Sequence, residues 1–235
     1  LKVISVGAGS VQFSAALTGS GTYSLRFYIR DNVLVASNVT GWELSCPGGT
    51  AYLDGNKSHS YPYLVGADDS VGNSLRMVNC VDFLIDGIEG RNARLHGLIA
   101  VGRLARGRVP RWRGYNNGFR AIHFHGETTG GYTDPEVQMH FGLLESEENG
   151  KLAFSSQGGT EWNSGVFVVF DNNVGTTIQT VRSLNDRGMG LLLSGKVTGD
   201  ILSPSKMCQL GQVYVENAAI GVGIFQEITH VNIQS

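Results

Sequence analysis

The chain has 235 residues, of which 41% are hydrophobic and 16% charged, with a formal net charge of −2 at pH 7. That is enough apolar residue for a full core in one domain. The slightly acidic balance excludes a general nucleic-acid binder, and no run approaches the ~20 apolar residues of a membrane-spanning helix, so neither nucleic acid nor membrane insertion is expected.

The chain opens at Leu1 rather than Met, on the strand-like LKVISV and without a visible signal peptide, and it closes on the strand-like HVNIQS. Both ends would expose unpaired amides and carbonyls, so further chain, a cap or a partner is expected beyond them. Residues 1–45 fit the pattern of the rest poorly. They are expected to be first coils or a segment, VQFSAALTGSGTYSLRFYIR at 11–30 above all, that covers apolar surface. Asn38 and Asn56 lie in N-x-[ST] sequons. Cys46, Cys80 and Cys208 are too scattered for a metal-ligand set or a disulfide framework and read as small buried hydrophobes. No cofactor and no metal is expected.

Residues 46–235 are expected to form one parallel β-helix domain, and from residue 97 to the C-terminus the chain repeats itself. A small residue precedes a short apolar run at Gly97 (LIAV), Ala121 (IHFH), Gly142 (LL), Gly165 (VFVVF), Gly190 (LLLS) and Gly221 (VGIF), spacings of 24, 21, 23, 25 and 31 residues. An Asn stands two to five residues before five of these anchors, as in RNARLHG, YNNGFRA, WNSG, LNDRGMG and VENAAIG. A fixed period of this size signals a solenoid. Helical repeats would need apolar residues at three and four, which are missing. Four to six apolar or β-branched residues between Gly, Asn, Asp and Ser read instead as strand, turn, strand. With 33 Gly and five Pro, the expected fold is all-β, a parallel β-helix.

The phrases GTAYLDGNK (49–57) and VDFLIDGIEGRNARLHGLIAVG (81–102), together with the Asn-turn repeats, resemble the right-handed parallel β-helices of the pectin-lyase-like superfamily. The resemblance runs from about residue 45 to the end. It covers polysaccharide lyases, glycoside hydrolases, epimerases and bacteriophage tailspikes, but the WIDH phrase of pectate lyases and the NTD, GHG and RIK phrases of polygalacturonases are missing. It implies an extracellular or virion-surface protein that binds and cleaves a polysaccharide, as a homotrimeric, tailspike-like depolymerase. The alternative is a non-catalytic structural or adhesin module of a fibre or tail.

Aligned on the anchors, the first position after each (Leu98, Ile122, Leu143, Val166, Leu191, Val222) and the third (Ala100, Phe124, Glu145, Val168, Leu193, Ile224) should face the interior. Glu145 breaks that pattern and suggests a slipped register in the Gly142 repeat. The intervening Ile99, His123, Leu144, Phe167, Leu192 and Gly223 should face out, as an apolar stripe that is either an oligomer contact or a surface covered by the N-terminal segment.

Six residues after the anchors stand Arg103, Glu127, Glu148, Asp171, Lys196 and Glu227. Stacked at ~4.8 Å, Glu127, Glu148 and Asp171 would form a carboxylate ladder whose separations bracket the ~5–5.5 Å and ~6.5–9.5 Å of retaining and inverting glycosidases; a solvated strand edge is the alternative. Glu161 and Asp186, flanked by Trp162 and Arg187, form a second candidate pair.

GRLARGRVPRWRGYNNGFR, with Arg103, Arg106, Arg108, Arg111, Trp112, Arg113, Tyr115 and Arg120, departs from strand alternation and reads in part as a projecting loop. Its forks and rings suit an anionic sugar, or else pair internally with Glu145, Glu147 and Glu148, or form a nucleic-acid patch. His123, His125 and Glu127 share a strand face, with His96 and His140 nearby. They offer a weak metal set or, for His123 on a uronan, a lyase base. Neither G-x-S-x-G nor G-x-x-x-x-G-K-[ST] occurs.

Overall fold

A computed structural model describes residues 3–7, 10–13, 32–55, 72–126, 139–150, 165–170, 176–198, 201–203, 205–225 and 228–233. In chain order the strands are β1 (Val3–Gly7), β2 (Ser10–Phe13), β3 (Leu34–Ser37), β4 (Thr40–Ser45), β5 (Ala51–Asp54), β6 (Leu75–Val78), β7 (Val81–Arg91), β8 (Leu98–Gly102) and β9 (Gly107–Tyr115). They continue as β10 (Ile122–Gly126), β11 (Met139–Glu147), β12 (Val166–Phe170), β13 (Thr177–Leu184), β14 (Met189–Thr198), β15 (Ile201–Ser203), β16 (Ser205–Glu216), β17 (Ile220–Phe225) and β18 (Ile228–Ile233). The described residues contain no helix.

Apart from β4 and β5, which both lie in one sheet, successive strands from β3 to β14 alternate between two eight-stranded sheets. One runs β15-β14-β12-β10-β8-β6-β3, with β17 also on β14; the other runs β18-β16-β13-β11-β9-β7-β4, with β5 also on β7. Every pairing is parallel except β14 with β15, and β1 with β2, which form a separate antiparallel pair. The fold is therefore all-β, built on two parallel sheets with inward faces in one core. Leu98, Ala100, Ile122, Phe124, Val166, Leu191 and Leu193 of the first sheet pack with Phe83, Ile85, Ile88, Val109, Trp112, Phe141, Leu144, Ile178 and Val181 of the second. Each large side chain buried there contributes roughly 1.5–3 kcal/mol.

Five of the six anchors stack in register on the first sheet, with Leu98, Ile122, Val166, Leu191 and Val222 mutually paired. For Gly97 and Gly165 the physical cause of small size lies at the turn before them. Asn92, Asn116, Glu148, Asn185 and Asn217 all take the left-handed conformation, φ 51–58°, which Asn tolerates better than most residues. Their side chains chain together, Asn116 Nδ2 donating to Asn92 Oδ1 at 2.8 Å and Asn217 Nδ2 to Asn185 Oδ1 at 2.9 Å. One residue further on, Asn117, Asn149 and Asp186 turn inward, and Gly97 and Gly165 lie against Asn117 and Asp186. A Cβ at Gly97 would meet Asn117 Nδ2 at 2.8 Å, and one at Gly165 would collide with Asp186 and Ser146.

Gly142 belongs elsewhere. Its strand, β11, is in the second sheet, paired with β9 and β13, and its side chain is absent because the Pro110 carbonyl of β9 fills that space. The repeat that leaves Ala121 next reaches the first sheet at Gly165. Glu145 thus faces outward by right of its own sheet, not by a register slip.

The second sheet carries a feature that hid it from period-two reading. In β9, Val109 and Trp112 are both buried with Pro110 and Arg111 between them; Phe141 and Leu144 in β11, and Ile178 and Val181 in β13, repeat that two-residue gap. Each strand changes phase once, at stacked positions, and in β7 the register shifts on both sides of Asp86. The expected projecting loop is accordingly strand β9 over Gly107–Tyr115.

On the far side of the first sheet, Ile99, His123 and Leu192 are buried within the single chain, so they form no exposed apolar stripe. Of the suggested cover, only 11–13 lie within the described residues, in the β1–β2 pair. Cys80 is buried, Cys46 half-buried, and both are free. Burial pushes the Cys80 thiol up, outweighing hydrogen bonds with the backbone of Val39 and Val78 and with Trp42.

Candidate functional site

The outward face of the second sheet gathers the densest chemistry. Across β5, β7, β9, β11, β13 and β16, register places Tyr52, Glu89, Arg113, Glu145, Arg182 and Tyr214 in one row, alternating acid and base between two tyrosines. The row beside it is Asp54, Arg91, Tyr115, Glu147, Leu184 and Glu216. Five strand spacings of ~4.8 Å make the first row about 24 Å long.

Arg113 holds the centre. Its Nη1 donates to Glu89 Oε2 at 3.0 Å and its Nη2 to Glu147 Oε2 at 2.6 Å. Burial alone would depress this guanidinium; the hydrogen bond to Glu147 and the charges of Glu89, Glu147 and Glu145 outweigh it and hold it above the usual arginine range. Glu89 is only 3% exposed, and a buried carboxylate of this kind requires its partners. Arg91 supplies another at 3.7 Å while bonding Asp54 at 3.2 Å and lying 4.0 Å from the centre of the Tyr52 ring.

Toward β16 the pairing loosens. Arg182 Nη1 stands 3.8 Å from Glu145 Oε1 and its guanidinium 5.9 Å from the Tyr214 ring. Here the surface opens into a depression of about 780 Å³ lined by Arg113, Glu145, Glu147, Arg182, Tyr214 and Glu216, among others. A smaller one, about 140 Å³, lies toward Tyr52 and Arg111. Tyr214 and Tyr52 are 53% and 56% exposed, so both row ends offer aromatic surface.

The residues singled out from sequence scatter. Arg111, Arg113 and Tyr115 reach this face, Arg111 donating to the Gly49 carbonyl and Arg113 lying 5.4 Å from the Tyr115 ring. Trp112 does not: it is 0% exposed in the core, because the phase change in β9 turns it inward. Glu148 is the left-handed turn residue after β11, its N–H donating to Leu184 O at 3.0 Å. It therefore belongs to the asparagine turn column.

Asp186 is 1% exposed. It accepts from Ser146 Oγ and Ser183 Oγ at 2.5 Å each, and from the backbone N–H and side-chain amide of Asn149 at 2.8 and 3.0 Å. Asn149 in turn accepts from Asn117, and Asn117 from the N–H of Ala93. Asp186 thus terminates an internal amide ladder, away from any surface where a substrate could reach it. Arg187 follows in the turn, its N–H on Asn149 O at 3.0 Å. Arg120 and His123 are buried together, Nη1 to Nδ1 3.1 Å, with the His96 ring 5.1 Å from that of His123. Glu127, Glu161, Trp162 and Asp171 lie outside the described residues.

Sequence reading missed Tyr52, Glu89, Arg182 and Tyr214; it met Glu147 as a partner for the arginines, which it is, and Glu145 both as such a partner and as an interior position. The row crosses six strands, so no local spacing announces it. Among the described residues, no three His, Cys, Asp or Glu side chains are placed to hold a metal. Chemically, the face offers paired carboxylates on β11, engaged guanidinia and two open rings, a vocabulary suited to a hydroxyl-rich ligand. Comparison with known proteins found no matching family model, no matching curated protein and no matching solved structure.

Proposed function

We propose that the chain is a right-handed parallel β-helix of the pectin-lyase-like kind that binds an extracellular or cell-surface polysaccharide along the outer face of its second sheet. The observation that carries this reading is the row from Tyr52 to Tyr214. Aromatic ends and a line of hydrogen-bonding groups across stacked strands match an extended polymer with repeating rings and hydroxyls. Cleavage on this face falls to Glu145 and Glu147. Two residues apart on one strand, they stand on the same face with Cα atoms about 7 Å apart. His123, the base that the sequence offered for a lyase, is buried behind the first sheet.

A tailspike-like depolymerase at a virion surface, trimeric as that resemblance implies, is the specific form of the proposal. A second reading, a non-catalytic fibre or adhesin module, is favoured by Asp186 and Glu148, which serve turns rather than a cleft. Incubation with a panel of acidic and neutral bacterial polysaccharides separates the two. Release of reducing ends without unsaturated uronate absorbance is expected for the hydrolase. Absorbance as well would mean a lyase, and binding without product would mean the module.

A further inference from the structure

We infer that the depression between β9 and β16 prefers glycans bearing amino groups over neutral ones and disfavours uronate or sulfated chains, an inference that rests on the glycan-binding reading above. The arginine-rich sequence around Arg113 suggests the opposite, but geometry has already used those charges. Arg113 gives one bond from each Nη, to Glu89 and to Glu147, so its single positive charge already faces two carboxylates. Arg182, the other guanidinium in the depression, is 62% exposed and pairs loosely with Glu145 at 3.8 Å, so the balance there is set by the count of charges.

The carboxylates outnumber them. Glu145, Glu147 and Glu216 line the depression against Arg113 and Arg182, and Glu216 is exposed at its edge. Acceptors are therefore in excess, and an acceptor-rich wall favours donors, hydroxyl and above all ammonium, while repelling anions.

The test is calorimetric titration of the full chain with three oligosaccharides of equal length: glucosamine oligomers, their N-acetylated counterparts and oligogalacturonate, at a pH where the amines are protonated. At about 0.05 M salt the glucosamine oligomer is expected to bind about tenfold tighter than its N-acetylated form, the gain from two exposed ion contacts, with oligogalacturonate weakest. At about 0.5 M salt the gap should close by screening. The double variant Glu145→Gln, Glu216→Gln, with its melting point checked against the parent, should bring the glucosamine oligomer down to the affinity of the N-acetylated one. Equal affinity for all three, or tightest binding of oligogalacturonate, overturns the charge preference and leaves the glycan reading standing. No binding by any of the three overturns both.

Discussion

Two stacked rows of polar residues run along this molecule, and they differ in what surrounds them. The inner row, Asn117, Asn149 and Asp186, is sealed beneath the turn, and every acceptor named there is filled by a neighbouring strand or turn. The outer row, from Tyr52 to Tyr214, starts with tightly paired charges and loosens into an open depression. Stacking puts like positions in line in both. Only the outer row retains capacity for a ligand, so the same residue types read as architecture in one place and as a binding surface in the other.

The sharpest way to break the comparison is Asp186→Ala. It strands the hydroxyls of Ser146 and Ser183 and the Asn149 amide in a buried site, and should cost about 3–5 kcal/mol in urea unfolding. Arg113→Met tests the tight half of the outer row. Leaving buried Glu89 without its nearest countercharge should cost about 1–3 kcal/mol, less than a fully buried pair because the arginine itself is part-exposed.

Glu148→Asn sharpens the comparison from the other side. The position is left-handed and sits among asparagines, so an Asn there should relieve backbone strain, extend the amide chain and raise stability by about 0.5–1 kcal/mol. The smallest effect belongs to an exposed pair outside both rows, Arg106 and Asp82, bonded at 2.6 and 2.9 Å. The hydrogen bond from Arg106 holds the Asp82 carboxyl below the usual aspartate range. Its contribution is therefore full above the unfolded value of 3.8 and lost as pH falls through the lower folded value. Arg106→Ala should flatten that acid limb in denaturation midpoints measured against pH, and leave neutral-pH binding unchanged.

The first sheet was legible where its strands are announced by a small residue behind a turn that favours Asn. Gly97, Ala121, Gly165, Gly190 and Gly221 carry that signal; at Gly97 and Gly165 the buried ladder beneath is its cause, whereas Gly190 lies against Val215. Gly142 carried the same letter for another reason, contact with the Pro110 carbonyl, and composition cannot tell the two apart. The second sheet was illegible as strands because its mid-strand phase change breaks alternation, which made β9 look like a loop and turned Trp112 from an exposed ring into a core residue. Of the candidate site, Arg111, Arg113 and Tyr115 were found through local density. Tyr52, Glu89, Arg182 and Tyr214 were not, since only the register of six strands brings them together.

The most direct test of the division between the rows is to measure glycan affinity and melting temperature together for Tyr214→Ala. The side chain is half exposed at the open end of the outer row, so its removal should change unfolding free energy by less than about 0.5 kcal/mol while weakening binding at least about fivefold, as loss of a stacking ring does. Unchanged affinity, or a loss of affinity only in step with a loss of stability, would contradict the assignment of the outer row to ligand binding.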